Sequence, residues 1–200
     1  MNEGSQHVIH SQHVIMHRFR KVFHHLRHIS TLILSDYTLD DIICAKMMLN
    51  KLKYPVHLSK GMKKWSLLPT TVTKKNHYIM PFLRDGIKYF TLESIQHHPK
   101  KNEKLPSSEF QQSSISSHIS HDVHFFGLVR GWINTYTVPN VQLSIITELG
   151  ELAQELQSST LIKVKLCESK IDKILQEIAD VSIYLVHLTR ILGIDLHNVY

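Results

Sequence analysis

Two acidic stretches near the C-terminal end constrain the fold of this chain most strongly. They cover residues 147–155 and 176–184. Residues three apart in a helix lie about 60° apart around its axis, so Glu148 and Glu151 share one face. Glu177 and Asp180 share a face for the same reason. If the two helices pack together, the two pairs of carboxylates converge.

Apolar residues recur at spacings of three and four around both acidic stretches, which predicts amphipathic helices that face a core. On the first helix they are Val141, Ile145, Leu149, Leu152 and Leu156. On the second, predicted over residues 170–192, they are Ile171, Ile174, Ile178, Leu185, Leu188 and Leu192. The acidic faces therefore lie beside packed surface and are not fully solvated.

Four carboxylates gathered at a helix interface repel one another, and unless some are protonated they need a cation. Oxygen ligands suit Mg²⁺ or Mn²⁺, and Mg²⁺ usually bridges such sites to phosphates. Either acidic pair alone is more often a solvated helix face. The matching pattern and apolar context of both pairs favour a metal site.

These residues resemble a known family. Glu-x-x-Glu followed at a helix-loop-helix distance by Glu-x-x-Asp resembles the all-α nucleoside triphosphate pyrophosphatases, the MazG-like group, and within it the dCTP pyrophosphatase branch. Residues 148–153 are similar to that branch's Glu-Val-Gly-Glu-Leu-Ala, and residues 177–186 to its Glu-Leu-Ser-Asp-Val-Leu-Ile-Tyr-Leu-Val. Upstream, Arg130-Gly-Trp132 and Pro139-Asn140 resemble its Arg-Asp-Trp and Pro-x-Asn. The resemblance covers roughly residues 115 to 200.

The resemblance implies an all-α helical bundle that hydrolyses a nucleoside triphosphate, dCTP or a related pyrimidine nucleotide, to the monophosphate and pyrophosphate. It implies a homodimer or homotetramer, and a role in cleaning the nucleotide pool. It also implies a Mg²⁺ site, with Mn²⁺ as the alternative ion, whose ligands are Glu148, Glu151, Glu177 and Asp180. One glutamate, which we assign as Glu151, would also orient the attacking water.

Three further residues match or lie near the family's nucleotide pocket. Trp132 and Tyr184 match positions that line it, although each is also consistent with an ordinary core aromatic residue. His124 lies one residue from the place of a pocket histidine. Two departures are present, because Ser158 replaces a second pocket tryptophan and the sequence ends at Tyr200. The family continues into a helix whose lysine and asparagine help hold the phosphates, so we expect weaker phosphate binding here.

Charge divides the chain into unlike halves. Residues 1–125 carry 17 Lys and Arg against 9 Asp and Glu, whereas residues 126–200 carry 6 against 8. Fourteen of the 16 histidines precede residue 126. The basic residues near Trp65 have no accompanying groove-reading motif, so a solvated basic face is favoured over contact with nucleic acid.

The N-terminal part is predicted to be separate from the bundle. Residues 1–28 form a basic, His-rich leader that we expect to be weakly ordered, with a mitochondrial presequence or a histidine metal site as the minor alternatives. Residues 29–100 suggest a small α/β segment, residues 101–113 a linker, and residues 114–200 the pyrophosphatase domain. We expect residues 110–200 to fold without the rest.

Within the N-terminal segment, strands are predicted at residues 30–34, 72–80 and 87–92, and a helix capped by Thr38 runs to about Leu52. In the C-terminal part, apolar residues recur at spacings of three and four and predict a first helix, at Ile115, Ile119, Val123, Phe126, Val129 and Ile133. Pro139-Asn140 separates it from the Glu148 helix, and Gly193 is predicted to close the 170–192 helix.

Two cysteines with no pairing motif indicate a reducing compartment, so the cytoplasm is expected. No stretch reaches the length of about 18 apolar residues that a membrane helix needs. A second hypothesis stays open at this point. The chain would then be a catalytically weak relative that acts as a helical oligomerisation module, with its basic N-terminal half binding a partner.

Overall fold

A computed structural model describes residues 3–61, 78–84, 116–157 and 166–195. Within them the chain is helical, and no β-strand occurs in these four ranges. The seven α-helices of the described ranges are α1 (Glu3–Ile33), α2 (Leu39–Lys53), α3 (Val56–Ser59), α4 (Met80–Arg84), α5 (Ser116–Val129), α6 (Val138–Gln157) and α7 (Glu168–Ile191). The prediction of an all-α fold is confirmed at this coarse level. None of the described helices is both long and apolar enough to span a membrane.

Helix α7 is the centre of the structure. It packs against α1, α2, α5 and α6, and every residue from Val181 to Thr189 is buried. A helix that is apolar around most of its circumference needs such a covering. The apolar circumference of this helix predicts a second copy of the chain as its covering, but helices of the same chain supply it here. The apolar surface of α7 is therefore no argument for an oligomer.

Helices α6 and α7 run antiparallel. Glu155 of α6 forms an ion pair with Lys170 of α7, and Glu148 lies near Glu177. Glu148 precedes Glu155 by seven residues on α6, whereas Glu177 follows Lys170 by seven residues on α7, so the two helices run in opposite directions. Along α6, Val141 and Leu152 are buried, but Leu149, which we had placed on the core face, is 43% exposed. Leu192, predicted for the core face of α7, is also exposed, because it lies at the C-cap.

Three helices confirm or refine the predictions. Helix α7 ends just before Gly193, whose φ of +67° is the left-handed conformation that glycine adopts easily. Helix α5 buries Ile119, Val123 and Phe126, which is the predicted spacing. Pro139 does not separate two helices as predicted, because it lies in the first turn of α6, where a missing N–H costs nothing.

The N-terminal helices differ from what the sequence suggested. The strand predicted at residues 30–34 falls in the last turn of α1 and the residue that follows it. Most of the predicted leader also belongs to α1, and Phe19, Phe23 and Leu26 are buried there. The strand at 87–92, most of the strand at 72–80 and the linker at 101–113 lie outside the described residues, while Met80 itself begins α4.

One core joins the two halves of the chain. Its buried members come from α1, α2 and α4 as well as from α5, α6 and α7, and Leu39, Ile42 and Ile43 of α2 are fully buried. The expectation that residues 110–200 fold without the N-terminal half is therefore not supported, because their isolation would expose this shared core.

Helix α2 begins with the predicted cap, now visible as a complete capping box. The Thr38 hydroxyl accepts from the Asp41 backbone N–H at 3.2 Å, and the Asp41 carboxylate accepts from the Thr38 backbone N–H at 2.8 Å. We expect Thr38→Ala to lower the free energy of unfolding by about 1 kcal/mol. The control is Thr31→Ala, which removes an exposed hydroxyl from the last turn of α1, where it donates to the Arg27 carbonyl at 2.9 Å and does not cap a helix start. Urea denaturation of both variants checks this, and equal midpoints would contradict the capping role.

Candidate metal and nucleotide site

Three of the four predicted acids converge between α6 and α7. Carboxylate oxygens of Glu148, Glu151 and Glu177 lie within 4.8 Å of one another. The antiparallel register causes this, because it sets the middle of α6 beside the middle of α7. Glu151 is exposed, whereas Glu148 and Glu177 are partly buried.

Asp180 lies at the edge of this group with a partner of its own. Its carboxylate is 2.6 Å from the Lys46 ammonium, and the two side chains are 15% and 8% exposed. Lys46 also donates to the side-chain oxygen of Gln176 at 3.0 Å. The sequence prediction of four converging acids thus holds for three in one group, with the fourth ion-paired next to them.

Glu177 is the most perturbed acid of the cluster. Its burial, followed by the negative charge of Asp180, raises its pKa to about 7 from an ordinary value near 4.5. Lys46 opposes the rise in pKa, while Glu151 and Glu148 add to it. One buried oxygen of Glu177 has no hydrogen-bond partner among the residues that the structure describes. A buried carboxylate oxygen without a donor, surrounded by like charges, is an environment that a divalent cation would stabilise.

The donor set therefore fits Mg²⁺ or Mn²⁺. It offers only carboxylate oxygens, which are the ligands that hard divalent ions prefer. It comes from two facing helices, and the exposure of Glu151 leaves one side open to solvent and to a substrate. Glu148, Glu151 and Glu177 would hold such an ion, and Asp180 is the nearest further ligand.

The pKa of Glu177 gives a stability prediction for the metal-free protein. Because its folded pKa is raised, its protonated form stabilises the fold below pH 4.5, and this stabilisation is lost as the pH rises through 7. We expect Glu177→Gln to gain about 1–3 kcal/mol over the wild type between pH 5 and pH 8.5 in EDTA. Thermal unfolding at both pH values measures it. A constant difference would contradict the pKa, and added Mg²⁺ should remove the advantage of the variant.

The two predicted pocket aromatics lie together beside Asp180. Trp132 and Tyr184 are each 5% exposed and line a cavity of about 20 Å³, which is room for about one water molecule. The other lining residues are Met47, Asn50, Tyr54, Phe126, Tyr136, Asp180, Ile183 and His187. The Trp132 ring meets the rings of Tyr54 and Phe126 edge to face, at 5.3 and 5.8 Å. The indole N–H of Trp132 is buried, and within the described part of the chain it has no hydrogen-bond partner.

His124 is not brought to this cavity. It lies two residues from Phe126 on α5, and a step of two residues turns a helix by about 200°, so the two side chains point apart. Partial burial, then the positive charges of Arg190 and His121, lower the pKa of His124. The cavity beside Trp132 and Tyr184 therefore gives no support to the assignment of His124 to a nucleotide pocket.

The Arg130 and Asn140 motif residues hold the chain in place. Arg130 is buried and donates to the backbone carbonyls of Tyr54 at 2.8 Å and Phe126 at 3.0 Å, which joins the end of α2 to α5. Burial lowers its pKa to about 10. The Asn140 side chain donates to the carbonyl of Thr135 at 3.0 Å and ties the start of α6 to the preceding turn.

Sequence reasoning missed three polar residues at the site: Lys46, Asn50 and His187. Lys46 and Asn50 continue the face of α2 marked by Leu39, Ile42 and Ile43, at spacings of three and four. A lysine inside an apolar stripe was the signal that could have identified it. His187 is buried within α7, with its ring centroid 4.4 Å from that of Tyr136.

A scan against family models, a search of curated proteins and a search of solved structures each found no match for this chain.

Proposed function

We propose that this protein is a Mg²⁺-dependent nucleoside triphosphate pyrophosphohydrolase that acts on dCTP or a related pyrimidine nucleotide. The observation that carries the proposal is the convergence of three carboxylates from two helices within 4.8 Å. The ion-paired Asp180 adds a further ligand position next to the three carboxylates. The aromatic cavity beside Asp180 is where a base would bind. The motif resemblance supplies the reaction type.

In the proposed reaction, water attacks the α-phosphorus and the bond from that phosphorus to the bridging oxygen breaks. The products are a nucleoside monophosphate and pyrophosphate. Divalent ions, when bound, neutralise phosphate charge and activate water for attack. Glu148, Glu151 and Glu177 would hold the ions, and Asp180 would join them. Glu151, the most exposed acid, orients the attacking water and accepts its proton.

The base would bind at the aromatic cavity. Stacking on an aromatic side chain contributes about 1–3 kcal/mol per base in comparable sites. A cavity of about 20 Å³ does not admit a pyrimidine, so binding requires the aromatic side chains to move apart. Trp132 is the residue that we assign to stacking, since moving its ring breaks no hydrogen bond to any of the described residues.

The proposal includes a homodimer or homotetramer, whose interface would lie on α6 and not on α7. Leu143 and Ile146 of α6 are 63% and 64% exposed, and they lie on the same helix as Glu148 and Glu151. Exposed apolar side chains on one helix are typical of a surface that a partner covers. We expect Leu143→Glu/Ile146→Glu to shift the mass measured by light scattering to that of a monomer. A monomeric wild type would contradict the prediction.

The test of the proposed function is pyrophosphate release from a panel of ribo- and deoxyribonucleoside triphosphates. We expect release with Mg²⁺ or Mn²⁺, none with EDTA, and the highest kcat/KM for dCTP or another pyrimidine nucleotide. Release of inorganic phosphate alone would contradict attack at the α-phosphorus. No release from any nucleotide would favour the alternative, a helical module without catalysis.

A further inference from the structure

Lys46 is a buried cation at the edge of the acidic cluster, and it comes from the N-terminal half of the chain. Its ammonium is 2.6 Å from Asp180, and its charge opposes the rise in pKa that burial causes at Glu177 and at Asp172. One ammonium thus acts on three carboxylates of α7. A lysine is rarely buried unless it is paired, so its position on α2 requires an explanation.

A hydrogen-bonded chain fixes the Lys46 ammonium from behind. Gln176 accepts from Lys46 at 3.0 Å and donates to Asp172 at 2.6 Å, and Asp172 accepts from the Met80 backbone N–H at 2.8 Å. Asp172 is fully buried. Two side chains of α7, Asp180 and Gln176, therefore hold the ammonium, so its position does not depend on Asp180 alone.

Asn50 lies one helical turn after Lys46 on the same face of α2. It lines the aromatic cavity together with Asp180, Trp132 and Tyr184. Its amide offers a donor and an acceptor side by side, and the edge of a pyrimidine base presents the complementary pair. Lys46 thus lies on the side of the carboxylates, and Asn50 lies on the side of the aromatic rings.

The net negative charge of the site indicates a role for the Lys46 ammonium besides its ion pair with Asp180. With all groups ionised, four carboxylates and one ammonium sum to a net charge of −3, which repels a polyphosphate. If Asp180 bound a divalent ion, the ammonium would keep its hydrogen bond to Gln176 and could donate to a phosphate oxygen in place of Asp180. Lysine binds phosphate as a compact point charge with three donors.

We propose that Lys46 and Asn50 form a nucleotide-binding pair: Lys46 binds the phosphates and Asn50 binds the edge of the base. The inference rests on the proposed function and deepens it, because it assigns part of the substrate site to α2. It also gives the N-terminal half a function in binding.

The test measures binding without turnover as well as activity. The probes are a nonhydrolysable α,β-imido analogue of dCTP with Ca²⁺, inorganic tripolyphosphate with Ca²⁺, and Mn²⁺ alone. We expect Lys46→Met to weaken binding of both phosphate probes by about 10- to 100-fold. Its affinity for Mn²⁺ should be unchanged or higher, because the ammonium no longer competes for Asp180. Lys46→Arg should recover part of the phosphate binding.

Asn50→Ala distinguishes binding of the base from binding of the phosphates. It also tests the proposal if Lys46→Met does not fold. We expect it to weaken binding of the dCTP analogue and to raise KM for dCTP by about 10-fold, with kcat nearly constant. Its binding of tripolyphosphate should equal that of the wild type. Lys170→Met is the matched lysine control, because Lys170 pairs with Glu155 away from the cluster, and it should bind all three probes normally.

Two results would overturn the inference while leaving the proposed function standing. One is an active wild type whose variants at both positions bind the analogue as tightly as it does. The other is a parallel loss of Mn²⁺ and nucleotide binding in Lys46→Met without recovery in Lys46→Arg, which a purely structural lysine would give. A wild type that neither releases pyrophosphate nor binds the analogue would overturn both proposals.

Discussion

Replacing Glu148 with glutamine is expected to lower magnesium-dependent pyrophosphate release by at least about 100-fold. The amide keeps the volume of the side chain but removes the negative charge that a divalent ion needs. A carboxylate oxygen of Glu148 lies within 4.8 Å of those of both Glu151 and Glu177, so its loss affects the whole group. The helices should persist, because Glu148 is on the partly exposed face of α6. Initial rates at saturating Mg²⁺ and dCTP measure the effect.

Glu155→Gln is the matched control for this result. It makes the same chemical change two turns later on α6, where the carboxylate pairs with Lys170 outside the cluster. We expect it to retain most of the activity, since an ion pair of this kind contributes about 1 kcal/mol or less to stability. Equal activities of the two variants and the wild type would show that the acidic cluster has no catalytic role.

Removing the N-terminal half is expected to abolish cooperative unfolding. Residues 110–200 alone would expose the face of α7 that α1 and α2 cover, including contacts to the fully buried Leu39, Ile42 and Ile43. Truncating a single buried leucine or isoleucine to alanine costs about 2–5 kcal/mol, and here several such side chains are lost together. The packing free energy lost with the N-terminal half therefore exceeds the total free energy of unfolding of about 5–15 kcal/mol that is typical of a domain.

Calorimetry and near-UV circular dichroism of the 110–200 fragment against the full chain test this. We expect helical signal without a sharp thermal transition. Leu39→Ala in the full chain is a milder version, with an expected loss of about 2–5 kcal/mol and a retained transition. A fragment that melts cooperatively near the temperature of the full chain would show that α1 and α2 are dispensable for the fold.

The sequence predicted the helices that carry strong local signals. Thr38 and Asp41 specify the start of α2, Gly193 ends α7, and the period of Ile119, Val123 and Phe126 marks α5. These features act within one or two turns, so they can be read without knowing the tertiary contacts. The convergence of Glu148, Glu151 and Glu177 also followed from helical spacing and from the assumption that the helices pack.

What the sequence did not reveal depends on contacts between distant segments. Residues 30–34 have apolar side chains suited to a strand, but they continue a helix whose buried face is fixed by α7. Lys46 reaches Asp180 across 134 positions of sequence, and no local pattern states which cation approaches which acid. The covering of α7 by α1 and α2 was missed for the same reason, since the sequence shows that a helix is apolar but not what buries it.

The central claim is that Glu148, Glu151 and Glu177 form one divalent-metal site, and titration with Mn²⁺ followed by electron paramagnetic resonance tests it without any substrate. The wild type is expected to bind Mn²⁺ saturably and to release it to Mg²⁺. Glu151→Gln and Glu177→Gln should each weaken that binding by about 10-fold or more, while Glu155→Gln should not change it. If all four proteins give the same weak, unsaturable titration, the three carboxylates do not form a metal site.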